Sequence, residues 1–363
     1  MKQNHAIIMT KIVIVVSPYG YGHLTRQIAL KNALLNLSPD LSITFVIGEK
    51  QRTFFSKEIL TTSQVAIEQI PLVPTITGNS LSIDVESTAE IFKRFWEWET
   101  QIRDDRAWER ILYGAQLIIN DIESVHNPIA KKMGIPMINI SNFTWSDILY
   151  GLGLDQLSQN YISWEKLADY HICLPFSTMC AGFTAPTHVG ILSRKIDWDR
   201  VTLIHDRCDG PLVLLGLTHS TSTDLSGHVN ILLEAGYSIC VSSAYYTGPT
   251  NSRILLLEEE TEKTQDYYAA ADLVVAKVGY STISEVITGG TPMLYWKRPG
   301  FIEENVLADA IIQRQQGREI QMSISPEDLL EEIENFLEEW TSIKDPEIPA
   351  NETIAKQVLS YIN

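Results

Sequence analysis

A glycine loop followed by a histidine lies near the start of the chain, in the stretch VVSPYGYGHLTR. Gly20 and Gly22 come between an apolar run and a helix-like stretch, so they allow a tight turn and a close approach of backbone to ligand. The third glycine of a dinucleotide-binding loop is missing, and His23 follows the second. Its imidazole is a candidate general base or metal ligand, or it merely opens the helix.

A carboxylate ends another apolar run, at Asp121 in the stretch NDIES. The carboxyl ends of parallel strands meet at one edge of a sheet, so we expect Asp121 close to the first glycine loop. There it could hold the imidazole of His23 in one tautomer and stabilise its cation. It could also cap the helix that starts near Ser124. The sequence leaves these two alternatives open.

A second polar group follows a strand-like run in the C-terminal half, in the stretch AKVGYSTISE. Ser281 and Thr282 begin a helix there, and the free N–H groups at a helix start suit a diphosphate. Gly279 allows the ligand to approach closely. Glu285 lies about one turn further along, where its carboxylate could bind hydroxyl groups of the same ligand.

Charged residues flank that helix in the neighbouring loops. Lys277 ends the strand before it and Arg298 lies in the next loop, so both are candidates for phosphate contacts. The stretch GFIEEN adds Glu303 and Glu304. Paired carboxylates at a strand exit are good acceptors for sugar hydroxyls. Several polar functions therefore converge at successive strand ends, which favours a binding site over a merely capped helix.

Strand-like and helix-like patterns alternate along the whole chain and must position these residues. Lys11–Val16 is apolar almost throughout, as strands of a parallel sheet are, and Pro211–Leu217 restarts the alternation in the second half. This pattern predicts an α/β fold with two Rossmann-like, doubly wound domains. Ligands bind beyond the carboxyl ends of such strands, so we expect the site in a central cleft between the domains.

We expect two domains because 363 residues are more than one core usually organises. The N-terminal domain is placed at residues 1–195, a connector at 196–210 and the C-terminal domain at 211–345. A helix at 346–363 is expected to pack back on the N-terminal domain. A long helical stretch is predicted from Asp84 to Tyr113, with its aromatic residues in the core.

The acidic composition disfavours two classes of partner. The chain has 28 basic and 45 acidic residues, which give a formal charge of -17. That charge repels nucleic-acid backbones and anionic lipid, so no nucleic-acid polymer is expected as a partner. No apolar run reaches the roughly 18 residues of a membrane span, and the N-terminus lacks a signal-peptide cleavage pattern. We therefore expect a cytoplasmic protein without an integral membrane segment.

Neither the cysteines nor the acids predict a metal site. The four cysteines show no C-x-x-C spacing and are expected to be reduced thiols. Asp197 and Asp199 form a D-x-D triplet, which we interpret as exposed acids of the connector. No metal ion is expected.

The stretch DLVVAKVGYSTISEVITGGTP resembles the donor site of nucleotide-sugar glycosyltransferases of the GT-B fold. These include the N-acetylglucosaminyl transferase of peptidoglycan lipid II synthesis and the plant and macrolide glycosyltransferases. The chain is particularly similar to the glycosyltransferase-like domain that precedes the kinase domain in plant L-arabinokinases. The shared motifs are G-x-G-H-x-T-R, SNFTW, K-x-G-Y-x-T-x-S-E and a double acid, between Lys11 and Ile311. No G-L-S-S-S-type phosphate loop appears, so no kinase domain is expected.

The resemblance implies roles for the matching residues. His23 would be the base or would position the acceptor, with Asp121 as its carboxylate partner. The donor-binding residues would be Gly279, Tyr280, Ser281, Thr282, Glu285, Glu303 and Glu304. Contacts with phosphate or acceptor are expected from Gly20, Gly22, Arg26, Asn142, Lys277 and Arg298. Many relatives have Asp-Gln or Gln-Gln in place of the double acid, and an amide donates and accepts hydrogen bonds whereas a carboxylate only accepts.

The predicted function is transfer of a hexosyl or N-acetylhexosaminyl group from a nucleoside-diphosphate sugar, UDP-sugar above all, to a hydroxyl or amine acceptor. The transfer is expected to be metal-independent and inverting, with His23 as base. The nucleotide sugar serves as co-substrate, and no cofactor is expected. Two alternatives stay open: a non-catalytic nucleotide-sugar-binding or sensor module, and a nucleotide-sugar hydrolase. The sequence predicts neither the acceptor nor an oligomeric state.

Overall fold

The computed structural model describes residues 9–78, 82–101, 105–216, 224–249, 251–258, 263–321, 323–340 and 346–362. Within these residues the chain forms two parallel β-sheets, each covered by helices. The predicted α/β fold with two Rossmann-like, doubly wound domains is confirmed. The outer limits of the expected domains, residues 1, 345 and 363, lie outside the described residues.

The N-terminal sheet has seven strands with intervening helices. Its strands are β1 (Lys11–Val16), β2 (Ser42–Ile47), β3 (Val65–Gln69), β4 (Leu117–Asp121), β5 (Met137–Ser141), β6 (Tyr170–Cys173) and β7 (Thr187–His188). Its helices are α1 (Gly22–Leu37), α2 (Glu49–Ile59), α3 (Val85–Gln101), α4 (Arg106–Leu112), α5 (Asn127–Lys132), α6 (Trp145–Gly151) and α7 (Asp155–Glu165). The strand order is β3-β2-β1-β4-β5-β6-β7, so the winding reverses between β1 and β4.

The C-terminal half repeats this plan. Its strands are β8 (Leu212–Gly216), β9 (Ser238–Ser242), β10 (Ile254–Leu257), β11 (Leu273–Lys277), β12 (Met293–Trp296) and β13 (Gly317–Glu319). The helices are α8 (Trp198–His205), α9 (Ser226–Glu234), α10 (Thr264–Ala270), α11 (Tyr280–Gly289), α12 (Ile302–Gln313), α13 (Pro326–Glu339) and α14 (Asn351–Ser360). The order β10-β9-β8-β11-β12-β13 places its reversal between β8 and β11.

The central strands form because their sequences are rich in β-branched residues, which suit a strand buried on both faces. In β1, the five residues from Ile12 to Val16 are all fully buried. Helix α1 follows β1 after a turn at Gly20, whose φ of +71° favours glycine. The carboxyl ends of β1 and β4 thus hold the first glycine loop and Asp121 side by side.

The structure adds detail to two of the predicted segments. The helical stretch expected from Asp84 to Tyr113 consists of α3 and α4, and residues 102–104 between them lie outside the described residues. The interval expected to be a connector, 196–210, contains α8, which packs against α10. Asp197 caps this helix through its side chain.

The last helix lies on the first domain. Helix α14 packs against α1, and the rings of Tyr170 and Tyr361 stack with centroids 3.8 Å apart. The backbone N–H of Ala350 donates to the carbonyl of Ile191 at 2.8 Å. The chain therefore returns to its N-terminal half before it ends.

Candidate functional site

His23 and Asp121 come together at the reversal point of the N-terminal sheet. Val16 at the end of β1 is the register partner of Asp121 at the end of β4. His23 is the second residue of α1, and its Nδ1 lies 2.9 Å from Oδ1 of Asp121. The imidazole is 7% exposed and the carboxylate is fully buried. This is the arrangement of a His–Asp pair.

The hydrogen bonds of these two residues show whether either of them caps a helix. The carboxylate of Asp121 bonds to side chains of α1, whereas α5, the next helix along the chain, begins only at Asn127 and has His126 as its N-cap. Helix α1 has Tyr21 at its N-cap position without a side-chain cap bond, so His23 does not cap it. Neither residue serves as a helix cap.

Arg26 shares the carboxylate with the histidine. Its Nε donates to Oδ2 of Asp121 at 2.7 Å, and its Nη2 donates to Oδ1. The same Nη2 lies 2.9 Å from Nδ1 of His23. Burial by itself would raise the pKa of Asp121, but the charge and hydrogen bonds of Arg26, with a smaller contribution from His23, lower it to about 2. Asp121 is therefore an anion held between a guanidinium and an imidazole.

The backbone turns sharply directly after Asp121. Ile122 has a φ of +53°, a conformation that β-branched residues rarely adopt and that is common at functional sites. Glu123, on the other side of this turn, is fully buried inside the N-terminal domain. Burial raises the pKa of Glu123 to about 7, and that of the buried Glu165 to about 8. The turn thus separates the ionised carboxylate of Asp121 from the buried carboxyl group of Glu123, whose pKa is raised.

A hydrogen-bonded chain leads from Arg26 to the opposite domain. Nη1 of Arg26 donates to Oδ1 of Asn142 at 2.6 Å, and Nδ2 of Asn142 donates to Oε1 of Glu303 at 2.9 Å. Asn142 follows β5, and Glu303 lies in the first turn of α12. Arg26 and Asn142 were expected to contact phosphate or acceptor; in the structure both are buried and bonded to protein groups.

The expected diphosphate loop lies at the start of α11, opposite the glycine loop. Gly279 is the N-cap, and the N–H groups of the next three residues belong to the helix turn that has no acceptors of its own. Oγ of Ser281 donates to the carbonyl of Gly22 at 2.7 Å and lies 2.9 Å from Oγ1 of Thr25. A Cβ at Gly22 would lie 2.9 Å from Oγ of Ser281, so only glycine allows this contact.

Glu304 lies between the two basic residues expected to contact phosphate. It is fully buried and accepts hydrogen bonds from Nζ of Lys277 at 2.9 Å and from Nε of Arg298 at 2.8 Å. Arg298 also donates to the hydroxyl of Tyr19 at 2.6 Å, across the cleft. Nζ of Lys277 lies 3.5 Å from the position of a Cβ at Gly279, next to the start of α11. Glu304 therefore joins the two basic side chains close to the start of α11.

Glu285 is bound by an arginine that the sequence did not single out. Nε and Nη2 of Arg194 donate to Oε1 of Glu285 at 3.0 and 2.8 Å. Nη2 also donates to Oγ1 of Thr264 at 2.7 Å, and Nη1 lies 3.5 Å from Glu58. Burial raises the pKa of Glu285, and Arg194 opposes the rise. A single basic residue in an irregular segment gives no pattern from which this contact could be predicted.

Metal-binding clusters and membrane-spanning helices were both sought in the part of the chain that the structure describes. No group of three or more His, Cys, Asp or Glu side chains there could hold a metal ion. None of the helices formed by those residues is both long and apolar enough to cross a membrane.

Comparison with known sequences gives distant relatives. No protein-family model matches the chain. It is 23% identical over 352 residues to the L-arabinokinase of Arabidopsis thaliana, covering 91% of this chain but only 32% of that protein, about a third of its length. It is also 23% identical over 358 residues to an uncharacterized glycosyltransferase of Methanosarcina acetivorans, covering 91% of this chain and 90% of the relative.

Comparison with solved structures gives matches over nearly the whole chain. A UDP-glucosyltransferase from Polygonum tinctorium superposes with a TM-score of 0.60 at 13% identity, covering 97% of this chain and 93% of the other. The spinosyn rhamnosyltransferase SpnG superposes with a TM-score of 0.61 at 12% identity, covering 97% and 95%. Medicago truncatula UGT71G1, complexed with UDP-glucose, gives 0.60 at 14% identity, covering 97% and 93%.

These matches agree with the two parallel sheets and with the facing strand ends described above. They confirm the GT-B fold that the resemblance in sequence implied. The chain has the GT-B fold, the fold of the nucleotide-sugar glycosyltransferases that it resembles in sequence and structure.

Proposed function

We propose that this protein transfers a sugar from a nucleoside-diphosphate sugar, UDP-sugar above all, to a hydroxyl or amine of a small acceptor. The observation that carries the proposal is the pairing of His23 and Asp121 directly opposite the start of α11. A base on one side of a cleft and an anion-binding helix start on the other are the two parts that such a transfer needs. The named relatives and the GT-B fold support the same reaction class.

The C-terminal domain holds the donor in this proposal. The N–H groups at Tyr280, Ser281 and Thr282 bind the diphosphate, with Gly279 allowing close approach. The hydroxyl of Ser281 joins them once it exchanges its bond to the Gly22 carbonyl for the ligand. Lys277 adds positive charge beside them, so the leaving diphosphate is stabilised without a metal ion. Glu285 binds ribose hydroxyls, which requires it to exchange its contact with Arg194 for the ligand.

The N-terminal domain holds the acceptor and performs the proton transfer. Nδ1–H of His23 donates to Asp121, which leaves Nε2 as the base. The acceptor oxygen or nitrogen attacks the anomeric carbon as Nε2 takes its proton. The bond from that carbon to the diphosphate oxygen breaks on the opposite face, so the configuration inverts.

A comparison of two histidine variants tests the proposed role of His23. Its replacement by alanine is expected to lower turnover about 100- to 10,000-fold, the usual contribution of a general base. His205→Ala is the matched control, because that side chain is 56% exposed on α8. Turnover is measured as nucleoside diphosphate released with panels of UDP-sugars and acceptors. Unchanged turnover in His23→Ala, with UDP binding intact, would remove His23 from the mechanism.

A non-catalytic nucleotide-sugar-binding module is the second candidate. It is favoured by the 2.9 Å contact between Nη2 of Arg26 and Nδ1 of His23. If Nδ1 accepts a hydrogen bond from Arg26, the imidazole carries its proton on Nε2 and cannot act as a base there. Such a module would bind a UDP-sugar without consuming it with any acceptor. Release of free sugar without an acceptor would instead indicate a hydrolase.

A further inference from the structure

Two cysteines lie next to each other at the carboxyl end of β6, in a part of the N-terminal domain that the proposed transfer does not use. Cys173 is the last residue of β6, and Cys180 lies in the loop that leads to β7. Each is 3% exposed, and both are free thiols in the structure. The two thiols interact directly, because a hydrogen bond between them is the largest influence on the pKa of each.

The loop between the two cysteines is held so that it returns to the end of β6. The backbone N–H of Leu174 donates to the carbonyl of Ser141 at 2.9 Å, and that of Thr178 donates to the following carbonyl, also at 2.9 Å. The backbone N–H of Cys180 then donates to Oδ2 of the buried Asp147 at 2.8 Å. The approach of the two sulfur atoms is therefore a result of the fold.

The two sulfur atoms differ in protonation. The hydrogen bond from Cys180 lowers the pKa of Cys173 to about 6, with smaller contributions from Ser177 and from His188, its register partner on β7. Burial and the charge of Asp147 oppose this change. The same hydrogen bond, together with burial, raises the pKa of Cys180. Cys173 is thus a thiolate at neutral pH, the nucleophilic form of cysteine, while Cys180 keeps the proton that it donates.

The two remaining cysteines provide an internal comparison. Cys240 is fully buried, and burial raises the pKa of its thiol. Burial also raises the pKa of the half-buried Cys208. Both side chains therefore favour the neutral thiol, which reacts slowly with oxidants.

The loop that carries Cys180 has features of a segment that opens locally. Phe176 and Cys180 have φ values of +58° and +46°, a conformation that is unfavourable for residues other than glycine. Met179, next to Cys180, is 70% exposed. Local opening of such a segment needs less free energy than unfolding of the whole domain, so we expect it to admit a small oxidant.

We propose that Cys173 and Cys180 form a reversible redox site that takes a small peroxide as oxidant and a dithiol as reductant. The Cys173 thiolate attacks one peroxide oxygen and the O–O bond breaks, which leaves a sulfenic acid and a hydroxide that takes a proton from solvent. The sulfur of Cys180 then attacks the sulfur of Cys173, and the proton of Cys180 leaves with the hydroxyl group as a second water. The two thiols have given two electrons to the peroxide, and a dithiol returns them by thiol–disulfide exchange.

Mass spectrometry of tryptic peptides tests this proposal. Residues 167–194 hold the proposed pair between two cleavage sites, and residues 208–253 hold the other two cysteines in the same way. The folded protein is treated with hydrogen peroxide at neutral pH, catalase stops the reaction, and free thiols are alkylated with N-ethylmaleimide in denaturant before digestion. We expect peptide 167–194 to lose both adducts at least about tenfold faster than peptide 208–253. It should then be about 2 Da lighter than its reduced, unalkylated form, and dithiothreitol should restore both adducts.

Two serine variants separate the roles of the thiols. Cys180→Ser keeps a hydrogen-bond donor for the sulfur of Cys173 but removes the second thiol. We expect peroxide to leave a sulfenic acid at Cys173 in this variant, which dimedone traps, and no disulfide in peptide 167–194. Cys208→Ser is the matched control and is expected to form the disulfide at the rate of the wild type.

Three results would overturn the proposal. The first is retention of both adducts in peptide 167–194 of the peroxide-treated wild type. The second is loss of adducts from the two peptides at equal rates, which would show that the fold does not select this pair. The third is a gain in mass by oxygen atoms in peptide 167–194 without a disulfide. Absence of the dimedone product in Cys180→Ser would overturn the assignment of Cys173 as the attacking thiol.

Discussion

Replacement of Asp121 by asparagine is expected to destabilise the folded protein by about 3 to 5 kcal/mol, the usual result of removing one partner of a buried ion pair. Asp121 is fully buried and Arg26 is 2% exposed. The carboxylate also accepts a hydrogen bond from Nε2 of Gln27 at 2.7 Å. In the variant the guanidinium keeps its charge, because arginine does not lose its proton in proteins, and it has no counter-charge on this side.

The pH dependence of folding stability gives a second value for the contribution of the Asp121 carboxylate. Its pKa falls from 3.8 to about 2 in the folded protein. This difference is worth about 2 kcal/mol of stability at neutral pH. A lowered pKa stabilises the ionised form, so the contribution is complete above about pH 4 and is lost as the pH falls toward 2. Asp121→Asn lacks this part of the acid-induced loss of stability.

Urea unfolding followed by tryptophan fluorescence measures both effects, because Trp145 and Trp164 are buried in the same domain. The control is the double variant Arg26→Met with Asp121→Asn, which leaves no uncompensated charge at this point. It is expected to be more stable than Asp121→Asn alone. A loss below about 1 kcal/mol in Asp121→Asn, or no recovery in the double variant, would refute the reasoning about the buried pair.

Three other predictions concern glycines and a buried acid. Gly22→Ala is expected to cost about 1 kcal/mol, because its Cβ displaces the hydroxyl of Ser281; thermal denaturation should show almost no further cost in a Ser281→Ala background, and an equal cost there would contradict the clash. Glu165→Gln is expected to flatten the pH dependence of stability. Burial raises the pKa of Glu165 from 4.5 to about 8, so wild-type stability falls as the pH rises through this interval; equal slopes in urea titrations of both proteins would refute this. Gly290→Ala is expected to lower stability by about 1 kcal/mol, because this residue ends α11 at a φ of +74°; an unchanged melting temperature would show that alanine is tolerated there.

The central strands and the approximate place of the site could be predicted from the sequence. β1 and β11 consist of apolar runs rich in β-branched residues, bounded by turn residues. Short runs of this kind are typical of buried strands. The proximity of His23 and Asp121 followed from the rule that parallel strand ends share one edge. These inferences depend only on local pattern and on a general property of α/β sheets.

The side-chain partners inside the cleft could not be predicted in this way. Arg26 and Asp121 are 95 residues apart, and Arg194 and Glu285 are 91 apart. The pairing of acidic and basic side chains depends on how the elements that carry them are arranged in the folded protein. Neither the composition of the chain nor the periodicity of its apolar residues predicts that arrangement. The start of α4 after its N-cap, Asp105, was missed for a different reason: the helical spacing of apolar residues continues into α4, so the pattern shows no interruption.

The return of the chain to its first domain limits how the cleft can open. In the described part of the chain, the residues just before α8 and those just before α14 both link the domains. Nδ2 of Asn351, at the start of α14, donates to the carbonyl of Ser193 at 2.7 Å and joins these two links. A domain held by one connecting segment can rotate about any axis. Two adjacent connecting segments instead favour rotation about the single hinge axis that passes through both. Arg194 follows Ser193 directly, so we expect its contact with Glu285 to change little when the cleft opens. We would then expect the glycine loop and the start of α11 to separate when the domains rotate apart.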